Sequence, residues 1–256
     1  MRFGNNAVFR RIEKNEDFTA TEPASMRGVA FKSILLIGIT IISALLSMIF
    51  INPNTDTGLT TIVLVGYIAC PVITLILSLV ISFKPITSKI LSIPYSILEG
   101  VSVGALCAIL SVYLGKDVGI IVGLALVITL AFFLGASILY ATKIVKVTTR
   151  FRNFMFVALF GLLFSSLVIG ILAIFSASVR ELFYGNGAIA IGFSVLSIII
   201  ASLYTFITLD TAQRLVDMQV SQDYEWYAAF GIVVNFIWLF YEVLRLILII
   251  VSRNRN

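Results

Sequence analysis

Histidine is absent from this chain of 256 residues. That removes the commonest general base and metal ligand, and with it zinc proteases and His-dependent intramembrane proteases. Cysteine occurs twice, as Cys70 and Cys107, both inside apolar runs. Such placement fits small packing residues and argues against a disulfide framework or a metal cluster. Charge is scarce as well, at 12% of residues, where an ordinary soluble domain carries about 25%. The chain therefore reads as a non-enzyme with no cofactor.

Apolar residues fill the space: 60% are hydrophobic and the mean hydropathy is +1.08. Crossing ~30 Å of hydrocarbon takes about 20 residues of helix. Apolar runs of that length lie at 33–51, 59–83, 90–114, 118–141, 153–175, 188–210 and 228–251. The expected fold is an all-α integral membrane protein of seven transmembrane helices. Residues 1–27 form a polar cytosolic tail, 28–252 the membrane domain and 253–256 a short C-terminal tail. The run after the tail is too long for the core of a cleaved signal peptide. Pro71 is expected to kink the second span. With the N-terminus inside, thirteen of the eighteen Lys and Arg residues fall on the cytosolic side. Lys116, Arg180, Arg253 and Arg255 fall on the other side and Arg245 inside a span, so the bias sets the N-terminus in the cytosol. The net charge of +5 thus marks orientation in a lipid bilayer and no nucleic-acid partner.

Ionisable side chains inside hydrocarbon are costly unless they face a polar cavity or a partner, so each one is a candidate. Glu99, in Leu98-Glu99-Gly100-Val101-Ser102, lies roughly 14 Å into the third span among small residues. It reads equally as an ion-pathway acid or as a protonated structural carboxyl. Asp210 ends the sixth span, with the alternative that it is a solvated helix terminus paired with Arg214 four residues on. The seventh span carries Asn235, Glu242 and Arg245. Asn235 and Glu242, seven apart, share a face, and Glu242 and Arg245 are spaced for an intrahelical pair unless Arg245 snorkels to the interface. The loop before that span adds Asp217, Asp223 and Glu225 with one cation, Arg214. This acidic patch reads as a cation entrance or as ordinary solvated residues.

Leu209-Asp210-Thr211-Ala212-Gln213, Gln222-Asp223-Tyr224-Glu225-Trp226, Leu98-Glu99-Gly100 and Asn6-Ala7-Val8-Phe9-Arg10-Arg11 together resemble motifs of the transmembrane Bax inhibitor motif family, in its bacterial YccA-like branch. The resemblance implies six helices around a central seventh, a place in the bacterial plasma membrane, and a calcium leak gated by pH. It also implies a sensor of two aspartates on the last two spans. Asp210 matches the first. The second falls on Asn235 in an ungapped alignment, or on Glu242 in a gapped one. Asn235 cannot titrate, so the two-carboxylate sensor does not carry over intact, and a pH response would move to Glu99 and Glu242.

Two functions follow. One is a pH-sensitive cation leak through Asp210, Asn235, Glu242 and Glu99, supported by Arg245, Arg214 and Asp223, with calcium at Asp210 where hard oxygen ligands suit it. The alternative is a regulator that restrains a membrane protease or another membrane protein, its handle the tail with Phe9, Ile12 and the Arg10-Arg11 pair. A retinal-binding protein is disfavoured because the last span has no lysine for a Schiff base.

Overall fold

Long apolar runs become helices in a bilayer because each backbone N–H and C=O must bond within its own segment. The computed structural model describes residues 22–50 and 57–255, and it is built of helices joined by short turns. The tail motif, with Phe9 and Ile12, lies outside the described residues, as does most of the first loop. Among the described residues there are eight α-helices. They are α1 (Met26–Phe50), α2 (Thr57–Phe83), α3 (Ser88–Leu114), α4 (Val118–Ala141), α5 (Thr149–Phe175), α6 (Ala177–Tyr184), α7 (Ala188–Asp217) and α8 (Glu225–Arg255).

Six stretches are long and apolar enough to cross a membrane: Met26–Met48, Pro85–Val112, Val118–Ala141, Thr149–Phe175, Ala188–Asp217 and Gln222–Arg253. The expected second span falls on α2, whose apolar stretch Ile68–Phe83 is shorter than these six. Six such spans, against the seven expected, make this an integral multi-pass membrane protein. Several boundaries move. Helix α1 starts at Met26 and α5 at Thr149, each earlier than expected, α7 continues to Asp217, so Asp210 sits inside a helix and not at its end, and α8 runs through Ser252 to Arg255. Pro71 lies within α2 without stopping it. The short helix α6 was not expected. Ser176 starts it, its Oγ accepting from the Val179 N–H at 3.4 Å, and its charged residues Arg180 and Glu181 had suggested only a loop.

The chain divides into two compact units. The first holds residues up to Val118 together with Thr211–Val233, and the second Gly119–Asp210 with Val234–Asn256. In the first, α3 packs chiefly on α1 and next on α2. Ser88, Ser92, Ser96, Gly100, Gly104 and Ala108 recur every fourth residue along α3 and all are buried. A four-residue repeat of small side chains is one ridge of a helix and lets two backbones approach closely. A Cβ at Gly100 would overlap the Thr40 carbonyl and the Ser43 side chain of α1, and one at Gly104 would overlap Ser47 and the Ala44 carbonyl. Gly100→Ala is therefore expected to destabilise the protein by about 2 kcal/mol. Gly123→Ala, with nothing within 4 Å of its Cβ, should be neutral or slightly stabilising. Thermal unfolding in detergent micelles checks both.

The same unit ties the start of α1 to the turn before α8. The Ala24 N–H donates to the Val220 carbonyl at 2.8 Å and the Gln222 N–H to the Glu22 carbonyl at 3.0 Å. Within this clasp Glu225 is only 1% exposed. Its Oε1 accepts from the Ser25 N–H at 2.7 Å and from Ser25 Oγ at 3.1 Å, while its Oε2 takes the Lys32 ammonium at 2.6 Å. A carboxylate thus caps the positive N-terminal end of α1. Gly28 is forced by it, because any Cβ there would overlap the carboxylate.

Candidate functional site

Along the second unit polar side chains meet at successive levels. The first level joins three helices. Asp210 of α7 pairs with the Arg152 guanidinium of α5, and the Tyr140 hydroxyl of α4 donates to its Oδ1 at 3.4 Å. Arg152 is the fourth residue of α5, where the sequence suggests a loop cation. It is instead largely buried, as is Asp210. This pairing corrects the reading of Asp210 as a solvated terminus, and it shows why Arg152 escaped notice: its partner lies 58 residues away.

One turn and a half deeper along α7, roughly 7.5 Å, Thr205 meets α8. Its Oγ1 accepts from Asn235 Nδ2 at 2.8 Å. Asn235 is 2% exposed, and its Oδ1 has no hydrogen-bond partner. The interhelical contact is reinforced by edge-to-face rings, Phe156 on Tyr204 and Tyr204 on Trp238.

Glu242 follows two turns along α8. The Trp238 side chain, one turn back, hydrogen-bonds its carboxyl, yet Oε2 is buried with no partner. The intrahelical pair with Arg245 does not form. Arg245 turns away, donating to the Phe183 carbonyl of α6 at 2.8 Å and stacking on the Tyr184 and Phe193 rings at 5.1 Å and 5.4 Å. The planar, weakly hydrated guanidinium suits such a carbonyl and aromatic cage better than a point charge would. The unexpected helix α6 supplies the carbonyl and Tyr184, and α7 supplies Phe193.

Glu99 belongs to the first unit. It is 9% exposed on α3, and the hydroxyls of Thr74 on α2 and Tyr95 on α3 hydrogen-bond its carboxyl. Thr74 Oγ1 also donates to the Pro71 carbonyl at 3.1 Å, an acceptor beside the proline that α2 carries in mid-helix.

The acidic patch of the last loop takes its cations from distant segments. Asp223 pairs with Lys89 at 2.8 Å on the surface, buried Glu225 with partly buried Lys32, and Asp217 accepts from Gln213 Nε2 at 2.8 Å. Exposed pairs such as Asp223 with Lys89 contribute little to stability, whereas the Glu225 pair is shielded. Arg214 lies one turn beyond Asp210 on α7. Among the described residues no three His, Cys, Asp or Glu side chains gather as metal ligands would.

Long apolar helices with a row of polar groups inside them define a multi-pass α-helical membrane protein. The model of the family described as Bax inhibitor 1 like matches residues 5–252, and the chain belongs to that family. No curated protein sequence matches the chain.

Proposed function

We propose that the protein is a pH-sensitive cation leak, with calcium as its permeant ion, and that Asp210 and Arg152 form its gate. The observation carrying this is the pair of buried acceptor oxygens, Asn235 Oδ1 and Glu242 Oε2, that lack any donor. Along the helices they lie between the levels of Asp210 and Arg245. A buried acceptor left unsatisfied costs on the order of 1–3 kcal/mol, and each one in a native structure calls for an explanation. A hard cation moving between such oxygens is that explanation. The row covers roughly 7.5 Å along α7 from Asp210 to Thr205 and roughly 15 Å along α8 from Asn235 to Arg245. That is most of a hydrocarbon core of ~30 Å.

In this reading the chain crosses the membrane seven times with its N-terminus in the cytosol, since the 27 residues of α2 also reach about 40 Å. Asp210 then lies toward the cytosolic end. Its ion pair ties α7 to α5 and closes the row. Without the carboxylate charge Arg152 is no longer held, and its long side chain near the start of α5 can swing to the interface. Calcium flux into liposomes holding the purified protein should be present and should vary with pH. Absence of flux at every pH would end this reading.

The regulator reading has one observation in its favour. The clasp at Glu22 to Ala24 fixes the root of the N-terminal tail beside the turn that precedes α8. A protein bound to that tail would pull on the same helix that carries Asn235 and Glu242. Deleting residues 1–20 should abolish capture of a membrane-protein partner in pull-downs while leaving flux intact; capture that survives the deletion would count against it.

A further inference from the structure

The second unit also contains a groove between α4, α7 and α8 with a volume of about 500 Å³, lined among others by Ile128, Phe132, Ile199, Ser202, Leu246 and Ile250. Apart from Ser202 its walls are entirely apolar. Its rim is open to the surroundings, with Phe132, Ile199 and Ile250 each about half exposed. We propose that this groove holds one acyl chain of an anionic phospholipid, with the headgroup bound at Arg253. The proposal does not depend on ion conduction.

An apolar cavity stays dry, because a water inside it would find no partners. Around membrane helices the remaining candidate to fill it is hydrocarbon. The lining residues of α7, 195–203, lie roughly 10 to 22 Å below the helix start at Ala188. Those of α8, 243–250, lie roughly 5 to 15 Å below Arg253. The groove therefore sits at the depth of one leaflet's chains, in a core of ~30 Å. A methylene takes about the room of a liquid water, ~30 Å³, so the volume accommodates roughly sixteen, the length of one ordinary acyl chain.

The open end is electropositive. Leu246, Ile250 and Arg253 are spaced at four and three residues along α8, so Arg253 stands on the groove's face just beyond its apolar walls. Ser252 Oγ donates to Asn186 Oδ1 at 2.6 Å, which holds this end of α8 beside the turn that opens α7 at Ala188. The positive end of α7 and the guanidinium thus converge where a lipid phosphate would lie. The walls bind the chain; the rim selects the charge.

The test uses the full chain in mild detergent, titrated with palmitoyl-oleoyl phosphatidylglycerol or the matching phosphatidylcholine and read by native mass spectrometry. The parent protein should hold one phosphatidylglycerol. Ile199→Trp and, independently, Ile250→Trp fill the groove from its exposed rim, where a larger side chain leaves the core untouched. Each should weaken that binding by about tenfold or more. Arg253→Gln should still bind one chain but lose its preference for phosphatidylglycerol over phosphatidylcholine. A parent protein that retains no lipid would overturn the proposal, as would two Trp variants that bind like the parent. So would a dimer that the Trp variants dissociate, which would mean that a second copy covers the groove.

Discussion

Asp210→Asn should raise calcium flux roughly tenfold at neutral pH, a change of about 1.4 kcal/mol in the gating equilibrium. The neutral amide keeps the size of the carboxyl and can still accept from Tyr140, so shape alone does not change. What it loses is the charge that holds Arg152 inside the helices. Removing one partner of a buried pair leaves the other uncompensated, at a cost of about 3–5 kcal/mol. The unpaired guanidinium escapes that cost by moving to the interface, and the tie between α5 and α7 goes with it. Arg152→Gln breaks the tie from the other side and should also raise flux. A carboxylate acting instead as a fixed cation ligand would give opposite signs, with flux lost in Asp210→Asn and gained in Arg152→Gln. Measured in the same liposomes, that pattern would replace the gate by a ligand.

Glu225→Ala should destabilise the protein by about 3–5 kcal/mol, lowering the unfolding midpoint by roughly 10 °C. The carboxylate satisfies the Ser25 N–H and hydroxyl and the Lys32 ammonium in a site that water scarcely reaches. Without it a cation and the Ser25 N–H just before α1 lose their partner together. Lys32→Met should cost less, because the Ser25 contacts remain. The double variant should be less damaging than the sum of the two, since the second change removes a charge the first has left unpaired. Strict additivity in detergent unfolding would mean that the two side chains do not act as a pair. The clasp also predicts that Glu225→Ala frees the 22–25 arm from 220–222, readable as faster amide exchange at Ala24 and Gln222.

The helical class, the positions of the long spans and the family were legible in the chain alone. Each rests on local properties: length of apolar run, spacing of cations around it, and short contiguous motifs. Asp210, Asn235, Glu242 and Glu99 were also visible, because a polar side chain in an apolar run stands out whatever surrounds it. Their partners were not. Arg152 looked like one more loop cation, and Glu225 like a solvated acid; Arg245 seemed destined for Glu242 because helical spacing was the only geometry the sequence offered. The small residues around Glu99 were plain in the sequence, but that Gly100 and Gly104 fit against Thr40, Ser43 and Ser47 was not. A one-dimensional pattern gives neighbours within a helix at three and four residues. It cannot rank them against groups 58 or 193 residues away. Burial does that ranking: once water is excluded, each charge must take the partner that packing delivers. The sequence by itself therefore determined that the chain lives in a membrane and which polar groups it carries there. Only the tertiary structure decided that Asp210 answers to Arg152, Glu225 to Lys32 and Arg245 to the Phe183 carbonyl, because desolvation acts on the assembled helices and not on any one of them.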